Sequence, residues 1–219
     1  MSSALPPPQE NAFAAVRQFA RRRAIVERCE MCSRELAPEH EHLVEPANRR
    51  LICSCEACAI LFQGQNGAKF KRVPRRVQFL QDFQLTDAQW DGLMLPIEMA
   101  FFFKSSPQEK IIALYPSPAG PTESLLSLDT WDDIVQSNPV LSEMEADTTA
   151  LLVNRVGRAR GSSPAEYYLA PIDECYKLVG IIRTHWRGLS GGTKVWRELG
   201  AFFASLKRKA GLLQEGAHA

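Results

Sequence analysis

No apolar run in this 219-residue chain approaches the roughly 20 residues that a membrane-spanning helix requires, so membrane insertion is not expected. Net charge is almost missing as well. Lys and Arg number 26 against 25 Asp and Glu, a formal +1 that gives no whole-chain attraction to nucleic acid or anionic lipid. An export signal is not expected either, because the triple arginine Arg21-Arg22-Arg23 is followed only by Ala24-Ile25-Val26 before Glu27 and Arg28. Cysteine is scarce outside one stretch. Five of the six cysteines fall between Cys29 and Cys58, which argues against a distributed disulfide framework and favours metal or redox chemistry in a reducing, cytoplasmic setting. Neither a G-x-S-x-G elbow nor Walker spacing occurs, no catalytic constellation stands out, and the reading leans away from an enzyme.

What is present is an ordinary globular composition, 45% hydrophobic and 23% charged, enough to build a core. Charge is unevenly spread: residues 1–80 carry 13 basic and 8 acidic groups, and the remainder is net acidic. Residues 1–10 are small, polar and proline-rich and read as a disordered lead-in. Residues 11–26 then place Phe13, Val16, Phe19 and Ala20 at helical spacing, an amphipathic helix. Residues 27–62 form a cysteine-rich module with extended runs at His40–Glu45 and Arg49–Cys53, turned by Pro46-Ala47-Asn48. Residues 63–74 read as a linker and residues 75–210 as an α+β domain, with 211–219 a flexible tail. In that domain strands are expected at Arg76–Leu80, Glu98–Lys104, Lys110–Tyr115, Thr149–Arg155 and Ala165–Ala170. Helices are expected at Thr86–Leu93, Asp129–Gln136, Pro171–Trp186 and Thr193–Leu206. The fold class is therefore α+β: a small zinc-ribbon-like module followed by an antiparallel sheet covered by helices.

The chemical signal is the pair Cys29-Glu-Met-Cys32 and Cys55-Glu-Ala-Cys58, two C-x-x-C turns with 22 residues between them. Each turn lets two thiolates converge, and two turns complete a tetrahedral metal site, as in zinc ribbons. About 35 residues bury too little surface to fold alone, so a structural metal also explains how the module folds. Cys53 is one thiol more than a ribbon needs. Two positions before Cys55 in an extended segment, it reads as a spare thiol, as an alternative ligand, or as a sign of iron or an Fe–S cluster in place of zinc. His40 and His42 share one face of a candidate strand and read as alternative ligands, hydrogen-bonding neighbours of the site, or surface residues. The turn Arg187-Gly-Leu-Ser-Gly-Gly192 between the closing helices offers Gly188, Ser190, Gly191 and Gly192 as a partner or anion site, against the plainer reading of a tight reversal. The proline-rich stretch Tyr115–Ser124 reads as a stiff structural loop.

These residues carry a resemblance. CEMC, CSCEAC with AILF after it, YPSPAGPTESLL, ALLVNR, PIDECYKLVGIIR and HWRGLSGGTKVWREL together resemble an uncharacterised bacterial family encoded among the accessory genes of high-affinity, actinobacterial-type nickel–iron (NiFe) hydrogenases. The likeness covers nearly everything from Cys29 to Phe203. It implies a role in hydrogenase assembly, maturation or electron transfer and brings no reaction with it. The reading that follows is a metal-binding accessory protein acting on a protein partner, such as a hydrogenase subunit or maturation factor. The alternatives are an electron carrier with an iron or Fe–S centre, and a zinc-ribbon nucleic-acid binder, the last disfavoured by the glutamates that dilute the basic residues.

Overall fold

The computed structural model describes residues 26–63, 69–124, 130–159, 161 and 163–216. The lead-in and the amphipathic helix expected before residue 26 lie outside this set. Six strands build the main sheet: β4 (Gln78–Phe79), β5 (Met99–Ser105), β6 (Lys110–Ser117), β7 (Gly120–Glu123), β8 (Thr149–Asn154) and β9 (Glu166–Pro171). Their order is β4-β9-β8-β5-β6-β7, and every neighbour pair is antiparallel.

The central strands read as continuous apolar runs because both faces of the sheet are covered. On one face Phe101, Phe103, Leu152 and Tyr168 pack beneath helices α5 (Ile172–His185) and α6 (Gly192–Gly216). Helix α5 buries Ile172, Cys175, Leu178, Val179 and Ile182, and α6 buries Val195, Leu199, Phe202, Phe203 and Leu206, the two stripes that the helical spacing predicts. On the other face Ala100, Phe102, Leu151 and Val153 meet Trp90 of α2 (Asp87–Gly92) and Trp131 and Ile134 of α3 (Trp131–Ser137). Thr86 caps α2 with a reciprocal bond to Gln89. A short 3₁₀ turn, Pro139–Glu143, and a one-turn helix α4 (Val156–Ala159) fill the remaining connections.

The cysteine module packs on one end of this sandwich. Strands β1 (Glu41–Glu45), β2 (Arg50–Ser54) and β3 (Lys71–Arg72) form a second antiparallel sheet in the order β2-β1-β3, and helix α1 (Glu56–Phe62) follows β2 directly. Residues 71–72, within the stretch read as a linker, thus belong to a strand, and Val73 joins Val44 in the same core as Phe101. Polar clamps fasten the module further. Lys71 Nζ lies 2.6 Å from Asp147 Oδ2, and Arg49 Nη1 lies 2.7 Å from Glu123 Oε2.

Candidate metal centre

The first C-x-x-C turn is shaped by backbone bonds. Arg28 and Glu35 form an isolated antiparallel bridge, and within it Cys29 N–H donates to Arg34 O at 2.8 Å while Ser33 N–H donates to Cys29 O at 2.8 Å. Ser33 takes φ +62°, which lets the chain reverse tightly after Cys32. The second turn is a helix start. Cys55 is the N-cap of α1, in extended conformation, and Cys58 sits in the first turn. The two turns are tied together through Glu30, whose N–H donates to Cys53 O at 2.9 Å and whose carboxylate accepts from Cys53 N–H at 2.9 Å.

These constraints gather the sulfurs of Cys29, Cys32, Cys55 and Cys58 within 4.8 Å of one another, with Cys32 and Cys55 at 3.7 Å. Thiolates bound to one tetrahedral ion at 2.3 Å lie about 3.8 Å apart, so this donor set fits a single metal ion. Cys29, Cys55 and Cys58 are buried and Met31 and Leu36 pack around them, a sparse apolar shell that the sulfurs themselves complete.

The electrostatics favour a thiolate at Cys29. Burial acts to raise its pKa, but the backbone N–H groups of Cys55, Cys32 and Met31 outweigh that and bring it down to about 6. Cys58 is pushed the other way, up to about 12, by burial, by hydrogen bonds with the neighbouring thiols and by the Cys29 charge. The Cys29 thiolate therefore forms readily, and a metal ion bound here would take the place of the Cys58 proton.

Cys53 is placed elsewhere. It stands directly across from His42 in the β1–β2 ladder, and its sulfur groups with ring nitrogens of His40 and His42, again within 4.8 Å. The rings of His40 and His42 are 4.7 Å apart between centroids. Burial, with the charges of Glu27, Glu30 and Cys29, raises the Cys53 thiol pKa. Asp173, in the first turn of α5, is the partner of His42: Nδ1 lies 2.9 Å from Asp173 Oδ2. Nothing in the spacing of residues 131 positions apart signals that contact.

The turn after α5 is a tight reversal. Arg187 N–H donates to Gly191 O at 3.0 Å, and Gly188, Gly191 and Gly192 all have positive φ. The indole N–H of Trp186 donates to Gly188 O and that of Trp196 to Ser190 O, both at 2.9 Å, so two of the turn's carbonyls are occupied. Leu189 at its tip is fully exposed.

Among the described residues no helix is long and apolar enough to cross a membrane. No curated protein and no solved structure matches the chain. Residues 28–210, which hold both C-x-x-C turns, the module and both faces of the sandwich, match a family of unknown function (DUF5947), and the chain belongs to that family.

Proposed function

We propose that this protein is a metal-binding accessory factor whose tetrathiolate centre holds one zinc ion and which acts by docking on a protein partner in NiFe-hydrogenase assembly or maturation. The observation that carries the docking is on α1. Three consecutive apolar side chains, Ile60, Leu61 and Phe62, are exposed on the helix whose start holds Cys55 and Cys58, with Leu61 at 74%. Zinc at the four cysteines supplies a cross-link that fixes this helix, of which Cys58 and Ala59 are the buried residues, to the first turn. The sulfur spacing supports a mononuclear ion, and zinc suits a site closed by four thiolates.

The hydrogenase setting, and a cytoplasmic location with it, rest on the resemblance of the long motifs between Cys29 and Phe203. The nucleic-acid reading loses support from the ion pairs. Among the described residues Arg72 and Arg75 are both bonded to Glu41, Arg50 to Glu30, Arg49 to Glu123, Lys71 to Asp147 and Lys69 to Glu45, so these basic side chains are already paired with carboxylates.

Co-purification from cells carrying tagged hydrogenase subunits tests the proposal. The full chain is expected to be captured and the Leu61→Asp variant, still folded and still metal-loaded, to be lost. Correctly matured hydrogenase at normal levels in a strain lacking this gene would overturn it.

A further inference from the structure

We propose a second metal site, formed by His40, His42 and Cys53, that binds a zinc-class divalent transition ion through three protein ligands and leaves a fourth position open to the cleft between the cysteine module and helix α5. It goes beyond the docking role and does not depend on it.

The three side chains come together by register. Cys53 on β2 faces His42 on β1, and His40 precedes His42 by two positions, on the same side of the extended chain. The Cys53 sulfur and one ring nitrogen of each histidine lie within 4.8 Å of one another, and the ligand atoms of a tetrahedral zinc with nitrogen and sulfur donors are about 3.3–3.8 Å apart, so side-chain movement is needed to close the site.

Both rings are already oriented as metal-ligating histidines are. His42 Nδ1 donates to the carboxylate of Asp173 at 2.9 Å, and His40 Nδ1 donates to the carbonyl of Ala37 at 2.9 Å, which leaves Nε2 of each ring as the nitrogen a metal would take. Asp173 is itself held, since its Oδ1 accepts from Glu174 N–H at 2.9 Å. The strongest single indication is His40. Its side chain is only 7% exposed, and Nε2 is buried with no hydrogen-bond partner. A buried ring nitrogen without a partner carries a desolvation cost that a metal bond removes.

The site is not closed like the tetrathiolate centre. All three residues line a cleft of about 670 Å³ that Asp173, Lys177 and Lys209 also border. Three ligands and an accessible fourth position make a zinc ion a Lewis acid able to take up water or a small anionic donor, unlike an ion held by four cysteines. Imidazole with thiolate selects ions of the zinc, copper and nickel group over magnesium or calcium.

The test uses the full chain, stripped of metal under reducing conditions, reloaded with zinc, dialysed and analysed for zinc per chain. Two ions are expected in the parent protein and one in Cys53→Ala. Asp173→Asn, which keeps all three ligands, is expected to bind the second ion 10- to 100-fold more weakly in a chelator competition while the first is unchanged. Cobalt(II) is the second probe. Azide is expected to change the spectrum of the doubly loaded parent and to leave the cobalt-loaded Cys53→Ala protein unaltered. One zinc per chain in the parent, with the same content in Cys53→Ala and no azide response, would overturn the proposal.

Discussion

His42 on strand β1 and Asp173 in the first turn of α5 meet at 2.9 Å, joining the cysteine module to the large domain across 131 positions of sequence. The contact does two things. It orients an imidazole beside Cys53, and it places the module's β1–β2 hairpin against the helix layer, where Val44 and Leu51 already share the sandwich core. The metal region and the α+β domain therefore meet along a packed and polar seam, and changes on either side of it are expected to reach the other.

Replacing Cys58 by serine removes one of four thiolates from the tetrathiolate centre. The variant is expected to lose that ion and, with it, the order of α1 and the first C-x-x-C turn, because bound structural zinc contributes about 10–16 kcal/mol in isolated zinc modules. Elemental analysis and amide hydrogen exchange measure both effects, and exchange across the β5–β8–β9 sheet is expected to change least.

Asp147 secures the other end of the seam. Its side chain, 4% exposed, accepts from Lys71 Nζ at 2.6 Å, from Ser106 N–H at 2.8 Å and from Ser106 Oγ at 2.5 Å. Asp147→Ala leaves the Ser106 N–H and the Lys71 ammonium without this partner and is expected to cost about 2–3 kcal/mol in urea unfolding. Asp147→Asn keeps two of the acceptor contacts and is expected to cost less.

Asp87 supplies a pH dependence of known sign. Hydrogen bonds first from Arg158 and then from Arg155 hold its carboxyl below the ordinary value of 3.8. The folded state therefore binds the proton more weakly than the unfolded state. Its stabilisation is fully present above pH 3.8 and is lost as pH falls through the depressed folded value. Asp87→Asn is expected to be less stable than the parent at neutral pH, with the difference shrinking on that acid limb. Chemical denaturation at a series of pH values checks it, and a gap that widens with acid would contradict it.

Gly191 has φ +84°, and a Cβ there would lie 2.9 Å from Val195 Cγ1 and 3.1 Å from the Trp186 ring. Gly191→Ala is expected to destabilise by about 1–3 kcal/mol, from the left-handed backbone and the crowding together. Gly188, with positive φ but open space around it, is expected to tolerate alanine better. Thermal unfolding of the two variants compares them.

The parts of the fold that sequence reveals are those set by local spacing. The two C-x-x-C turns, the apolar stripes of α5 and α6 and the dense runs of β5, β8 and β9 are all legible within a window of a dozen residues. Strand β7 is hidden because Pro116, Pro118 and Pro121 make its hairpin look like a loop. Pro121 is tolerated on an edge strand, and Pro116 lies beyond the last β5–β6 pair, where no N–H is required. Cys53 is harder still. Two positions from Cys55, it looks like a competitor for the same ion, but the chain leaves β2 after Ser54 and Cys55 turns into the helix cap, so the two thiols join different clusters. Which cluster each joins follows from strand pairing, and the role of Asp173 follows from how the helix layer packs, neither of which spacing alone specifies.

The most direct measurement of the central claim is elemental analysis, with a visible spectrum and an acid-labile sulfide assay, on untagged full-length protein purified without oxygen. The account predicts zinc, no visible absorption and no sulfide, with zinc still bound at the four-cysteine centre when Cys53 is replaced by serine. Iron in place of zinc, with or without sulfide, would contradict it and make the cysteine cluster a redox centre.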